Sequence, residues 1–511
     1  MTDGWVTEGC VALGCDYDLV IIGGGINGAG IARDAAGRGL KVLLAEQGDL
    51  AQGTSSRSSK LVHGGLRYLE YYEFRLVREA LIEREVLLAA APHIVRPMRF
   101  VLPHSPEQRS ATLIRLGLFL YDHLGGRRKL PGSRRLDLAR APEGAPIREE
   151  FRRGFAYADC WVDDARLVVL NALDAAARGA EVLTRTKVAR ARRANGAWHV
   201  GLRAEDGAER EVTARILVNA AGPWVEQVLN AVVGENTGRH VRLVKGSHIV
   251  VRKFWAGPHA YILQNDDRRV IFVVPYHEDL CLIGTTDIPF EAPPEQAAID
   301  AAERRYLLGV VNRYMRRALV ESDIVYEYSG VRPLYDDAAA NPSAVTRDYV
   351  LDVDLGGGAG PPPLLSVFGG KLTTYRKLGE HALEKLKPFC PGLPGPWTAG
   401  EKLPGGDIPG DDPEEFAGGL ARWFPEMPRR LLALYARQYG TRASALLDGA
   451  RTTGDLGRHF GGLLFAREAE FLRRTEWAKT AEDVLTRRTA HHLAMGPAER
   501  ERFAAWFAGG G

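Results

Sequence analysis

Four consecutive apolar residues, Leu19-Val20-Ile21-Ile22, follow a polar stretch and run into a cluster of glycines. An uninterrupted apolar run is what a strand covered on both faces requires. Residues 27–38 are rich in alanine and glycine, and 41–45 (KVLLA) repeat the buried-strand pattern, so the start of the chain predicts a βαβ unit. Over residues 70–91, Leu76, Ala80, Ile82, Val86 and Leu87 recur near helical spacing with charges between them, and Pro92 closes the helix. The pattern then changes period. Residues 181–222 alternate as strands do, with Asn195-Gly196 as a hairpin turn, and further strand-like runs occupy 248–251, 270–274 and 280–284.

Three stretches lack periodicity. Residues 1–15 read as a loose, mostly polar leader, 355–363 (LGGGAGPPP) as a Gly/Pro loop, and about 390–413 as a linker. Beyond the linker the pattern is almost entirely helical, which predicts a separate small α unit. No internal repeat is present.

A chain of 511 residues exceeds what one core usually supports, so two or three units are expected. A formal net charge of +3, from 67 basic and 64 acidic residues, argues against a general nucleic-acid binder but leaves room for a local arginine cluster. Five cysteines, Cys10, Cys15, Cys160, Cys281 and Cys390, form no CxxC pair, which argues against a zinc site or a disulfide framework and for a reducing compartment. Asp3, Glu8 and Asp16 precede the first apolar run, unlike a secretory signal, and no apolar window is long enough to span a membrane.

The glycines carry the first chemistry. Gly23-Gly24-Gly25-Ile26-Asn27-Gly28 fits G-x-G-x-x-G between a strand and a helix. There, bare backbone and the positive end of the helix dipole suit a pyrophosphate. Glu46 ends the second strand, 18 residues past Gly28, where a carboxylate accepts hydrogen bonds from adenosine ribose hydroxyls. An adenine dinucleotide is therefore expected. The chain has one such loop only, which disfavours a second nicotinamide module and points to FAD.

The runs GGGINGAGIARDAAGRG (23–39), TSSRSSKLVHGGLRYLEYYEFRLVREALIEREVL (54–87), YADCWVDDARLV (157–168), KGSHIVV (245–251), IGTTD (283–287), SGVRPL (329–334) and FGGKLTTYRKL (368–378) closely resemble the FAD-dependent glycerol-3-phosphate dehydrogenases. The resemblance covers the chain from about residue 16 into the final helices. It implies hydride transfer from C2 of glycerol 3-phosphate to the flavin, with electrons passed to a quinone. It also implies an α/β fold: a Rossmann-like FAD-binding domain (16–95, 155–235 and 340–390) interleaved with a mixed-sheet substrate domain (96–154 and 236–339), then a C-terminal all-α cap (391–511).

Arginine suits a phosphate because its planar fork makes paired charge-assisted bonds. Arg67, beside Tyr68 in HGGLRY, and Arg332, in the otherwise apolar SGVRPL, are the phosphate candidates. A structural ion pair is the alternative for each. Gly370, Lys371, Leu372 and Thr373 lie between a strand and an amphipathic helix, and the resemblance brings this segment to the flavin pyrimidine, with Lys371 also reaching the substrate. His248, in KGSHIVV, is the first candidate for general base, since histidine titrates near working pH; a satisfied core histidine fits as well. His63, beside Gly64, is the second. His491-His492 read as helix surface. The polar loop with Thr54, Ser55, Ser56, Ser59 and Lys60 suits cofactor contacts, and the resemblance adds Gly222; Asp163 and Asp164 read as structural.

Residues 113–121 (LIRLGLFLY), followed by Arg127-Arg128-Lys129, suit an interfacial helix as well as a buried one. Because a quinone is lipid-soluble, the resemblance implies peripheral attachment to the cytoplasmic side of the cell membrane. A homodimer is the expected assembly. Two other functions remain open on these residues: a glycerol-3-phosphate oxidase using oxygen, and a non-catalytic FAD-binding redox sensor.

Overall fold

The computed structural model describes residues 14–105, 110–126, 129–234, 239–267, 269–336, 348–356 and 362–510, with the backbone but not the side chain of Arg67. Nearly all of the leader, most of the 355–363 loop, residues 340–347 and the Arg127-Arg128 pair therefore lie outside the described residues.

The first apolar runs form the centre of an eight-stranded sheet. Tyr17–Ile22 pairs in parallel with Val42–Ala45 on one side and Glu209–Asn219 on the other, and Leu364–Phe368 and Glu181–Leu183 extend the parallel part outward. Leu19, Val20 and Ile21 are completely buried. Helices cover one face: α1 (Ile26–Gly37) and Tyr375–Leu386 pack against it, their closest approach marked by Gly30 against the Tyr375 ring. The Asn195-Gly196 turn joins Thr186–Ala194 to Ala197–Ala204 with both residues at positive φ, as a tight hairpin requires. The long helix is α2 (Phe74–Ala90), and the four residues before it instead finish a 3-10 turn, Leu66–Tyr71, and a bend.

A second sheet of ten strands lies beside the first. Its centre comes from Val241–Arg252, Ile324–Tyr335, Leu280–Gly284 and Val270–Tyr276. It also takes Arg153–Val162, which pairs with Leu61–Val62 on one side and Val95–His104 on the other, so the chain passes between the sheets more often than the sequence pattern suggests. Helix α3 (Ala111–Leu124) packs beside α2 on this sheet, and Ala301–Tyr314 covers the opposite face.

The C-terminal unit has its own core, built on Leu420, Leu431, Leu432, Tyr435, Tyr439, Leu472 and Phe503. It is helical apart from a short hairpin, His459–Gly461 with Leu464–Phe465. The stretch read as a linker is laid onto the first unit: Trp397 stacks between Arg33 and Arg178, and Leu403 is buried. Its prolines and glycines hide this because the docking uses backbone carbonyls, those of Glu401 and Lys402 accepting from Arg33. His491 and His492 are not on a surface. Both are buried, His491 against Glu468 and His492 against the Leu485 carbonyl, because the short 3-10 turn they occupy is folded inward.

Candidate functional site

The glycine turn opens α1 without a side-chain cap at Gly25 and without an acidic residue in the first turn, leaving backbone donors at the positive end of the helix. Gly23 has φ +109°, and a Cβ on Gly28 would lie 1.9 Å from the Gly23 carbonyl oxygen, so the turn closes only with glycine at both. Asn27 donates from Nδ2 to the Gly369 carbonyl (3.1 Å), while its buried Oδ1 has no hydrogen-bond partner among the described residues. Glu46 accepts from the N–H of Gly24 and of Gly48, each at 2.7 Å. Burial pushes its carboxyl up against the pull of those donors, and its remaining lone pairs can still take ribose hydroxyls. An open helix start, an orphaned amide oxygen and an anchored carboxylate in register fit an adenine dinucleotide.

The 54–60 loop faces this cleft from the side. Ser55 Oγ accepts from the Ile26 N–H (3.0 Å), and Thr54 Oγ1 donates to the Val331 carbonyl (2.6 Å), tying the loop to both sheets. Lys60 turns inward: its ammonium pairs with Asp164 (2.6 Å) and donates to the Ser56 carbonyl (3.2 Å). Burial acts to lower the Lys60 pKa, yet Asp164 drives it well above the ordinary value, so the ammonium stays charged. Asp164 also accepts from Ser58, and Asp163 caps α4 (Asp164–Ala177).

His248 sits behind Ser59. Its Nε2 is 2.8 Å from Ser59 Oγ, its ring stacks on Tyr328 with centroids 4.8 Å apart, and its Nδ1 has no partner among the described residues. A Cβ on Gly284, the residue opposite on the neighbouring strand, would fall 2.1 Å from the imidazole, so the ring fits only above a glycine. Burial first, then Arg332 and Lys60, hold its pKa well below the ordinary range; the imidazole is neutral. At 1 % exposure it is reached through Ser59 rather than directly.

Arg332 lies over Gly246 on the same pair of strands. Its fork donates to Asp287 Oδ1 (3.0 Å) and Thr285 Oγ1 (3.2 Å), and a Cβ on Gly246 would lie 2.6 Å from Nη2. Thr285 and Asp287, not among the residues expected at the site, lie in the IGTTD run, whose composition gives no sign of this role. Lys371 is different. Half-buried, its ammonium stands 4.0 Å over the Tyr68 ring, and no carboxylate pairs with it among the described residues. Gly370, at φ +99°, places Leu372 and Thr373 in a 3-10 turn before the helix Tyr375–Leu386, and Thr373 Oγ1 accepts from the His63 N–H (3.3 Å). The Gly64 N–H donates to Tyr121 Oη (2.7 Å), which donates to Asp159, itself held by Arg84. Gly222, at φ +57°, opens a turn with free space beside it. The side chain of Arg67 lies outside the described residues.

The structure thus joins Asn27 with 369–370, Ser55 with the helix start, Ser59 with His248, and Lys371 with Tyr68. Residues 18–376 match the model of the FAD dependent oxidoreductase family. The chain belongs to that family. As a member of the FAD-dependent oxidoreductases it is a flavoenzyme whose cofactor is FAD. It is 60% identical to D-erythritol 1-phosphate dehydrogenase of Brucella abortus, over 96% of this chain and 97% of that one. It is 54% identical to glycerol-3-phosphate dehydrogenase of Pseudomonas aeruginosa, over 96% and 94%. The solved structure of glycerol-3-phosphate dehydrogenase from Bacillus halodurans, complexed with FAD, aligns with a TM-score of 0.69 at 26% identity, covering 96% of this chain and 93% of that one. Among the described residues no cluster of ligating side chains could hold a metal ion, and no helix is long and apolar enough to cross a membrane.

Proposed function

We propose that this flavoenzyme oxidises sn-glycerol 3-phosphate to dihydroxyacetone phosphate and passes the electrons to a quinone. The observation that carries the reading is Lys371. A half-buried ammonium lying on an aromatic face, with no carboxylate paired to it among the described residues, suits an anion that arrives from outside. Arg332, pre-set by Asp287 and Thr285, supplies the fork that a phosphate takes in two parallel bonds. FAD, when bound, supplies the hydride acceptor.

With the phosphate held by these cations, the C2 hydroxyl is turned toward Ser59. Ser59 Oγ takes the hydroxyl proton as it gives its own to His248 Nε2, and the C2 hydrogen leaves as hydride while the C2 carbonyl forms. Arg332 and Lys60 both disfavour an imidazolium at His248. A dianionic phosphate on Arg332 offsets one of these charges, so the base strengthens when substrate is in place.

The 60% identity to a D-erythritol 1-phosphate dehydrogenase supports a second reading, in which that four-carbon polyol phosphate is the substrate. The two compounds share a phosphomethylene group and differ by one CHOH unit. Anaerobic mixing with each, followed through flavin absorbance, separates them. Bleaching at least tenfold more efficient (kcat/KM) with glycerol 3-phosphate is expected; the reverse order selects the second reading, and bleaching by neither overturns both. Reoxidation by a quinone analogue but slowly by air completes the dehydrogenase assignment, whereas rapid reoxidation by air makes the enzyme an oxidase.

Helix α3 supports attachment to a membrane surface. Ile114, Leu118 and Tyr121 face the core, yet Leu113, Leu116 and Phe119 are also exposed, with Tyr72 and Phe74 nearby. A helix apolar on both sides, with Arg115 on the outer one, suits an interface that accepts side chains from outside. Sedimentation with anionic vesicles, lost on Leu116→Asp with Phe119→Asp, is the expected result.

A further inference from the structure

The segment that carries Glu46 is gripped from the far end of the chain. Asp49, three residues on, has a fully enclosed carboxylate that receives Arg487 Nε (2.6 Å) and both terminal nitrogens of Arg488 (2.8 and 2.6 Å). Arg488 is itself fully buried and spends its Nε on the Glu476 carbonyl (2.9 Å). Arg487 reaches on to Asp483 (2.6 Å), which also accepts from Arg185 (3.1 Å). The Arg185 N–H in turn donates to the Gly48 carbonyl (2.8 Å), and the Thr186 N–H to the Glu46 carbonyl (2.8 Å).

Residues 46–49 are therefore clamped between the turn at 183–186 and two arginines of the C-terminal unit. The Glu46 carboxylate is held between the Gly24 N–H on one oxygen and the Gly48 N–H on the other, so the place of Gly48 fixes one of its two anchors. The match to the family model ends at residue 376, well before these arginines.

We infer that Arg487 and Arg488 are positioning residues for the cofactor, holding the Glu46 carboxylate at the ribose end of the FAD cleft without touching FAD. The C-terminal unit is then part of the adenosine half of the FAD site. Neutral substitutes could not do this work, because the buried Asp49 carboxylate needs both forks to stay in place once it is out of water.

The test uses holoenzyme with Arg488→Gln, measuring FAD release on dilution by flavin fluorescence and the strength with which ADP competes for rebinding. FAD and ADP affinities are expected to fall together, by about tenfold or more. The bound-flavin spectrum and kcat at saturating FAD should not change, and Arg488→Lys should recover part of the loss. A lower melting temperature with both affinities unchanged would mean the pair only staples two units together, and overturns the inference. Weaker FAD with unchanged ADP places the defect at the flavin end and overturns it too. Should Arg488→Gln fail to fold, Arg487→Gln leaves the Arg488 fork on Asp49; a smaller parallel loss is then expected, and none overturns the proposal.

Discussion

Buried cations serve two different ends in this molecule, and their partners distinguish them. Between the first unit and the C-terminal one, Glu476 is enclosed by Arg166 and Arg442, both bonded to its carboxylate, and Asp49 by Arg487 and Arg488. Each of these arginines is bonded to a carboxylate. In the proposed substrate cleft, Lys371 lies on an aromatic face with no carboxylate paired to it among the described residues, and Arg332, held by Asp287 and Thr285, remains about 29% exposed. Enclosed cations bonded to carboxylates hold the fold, whereas Lys371 and Arg332, which solvent reaches, are on the proposed function those that take the substrate phosphate.

The sharpest way to break this contrast is Lys371→Ala. Loss of a charge-assisted bond to phosphate should lower kcat/KM by about 100-fold or more at little cost in melting temperature; near-normal turnover would place Lys371 with the structural cations. Glu476→Gln should do the opposite. Leaving Arg166 and Arg442 without their anion should cost about 3–5 kcal/mol of stability, read from chemical denaturation, with KM unchanged in the folded fraction. The same residue gives a pH signature. Arg166 and Arg442, opposing burial, hold the Glu476 carboxyl down at about 2, below its usual 4.5. A depressed carboxylate contributes stability that is complete above the unfolded value and is lost as pH falls toward the folded one. Wild-type stability should therefore decline between pH 4.5 and about 2 with a component that Glu476→Gln lacks.

Arg332→Ala falls between the two classes. It should raise KM by roughly 10- to 100-fold while FAD stays bound, since the lost contact is to substrate phosphate; flavin release on purification would show a structural role instead. The smallest effect expected is that of Ser59→Ala, about tenfold in kcat, because water can replace the hydroxyl between substrate and His248. An unchanged kcat would remove Ser59 from the proton path.

Much of this architecture is legible in local pattern. The strand–glycine turn–helix–strand unit, the Asn195-Gly196 hairpin and the separate C-terminal unit follow from periodicity and turn chemistry, both of which act within a few residues. The direction of Lys60 is not legible: in a serine-rich loop it reads as a cofactor contact, and its partner Asp164 arrives from a hundred residues away. The same holds for Asp49 with Arg487 and Arg488, and for His491 and His492: burial of a polar side chain depends on a distant partner that leaves no mark on its neighbours in sequence. Thr285 and Asp287 were hidden for another reason. They act through Arg332, and a residue that orients another has no composition of its own to betray it.

The bond from Asn27 to the Gly369 carbonyl has a consequence for biosynthesis. A chain leaving the ribosome presents its glycine turn almost at once, but 342 residues must follow before the strand that completes the cleft exists. Closing so wide a loop is an entropic cost met only when the parallel sheet has added its last central strand. On the proposed site, the nascent βαβ unit offers FAD half a seat, and the rest exists only after translation has passed the strand Leu364–Phe368 and the glycines behind it.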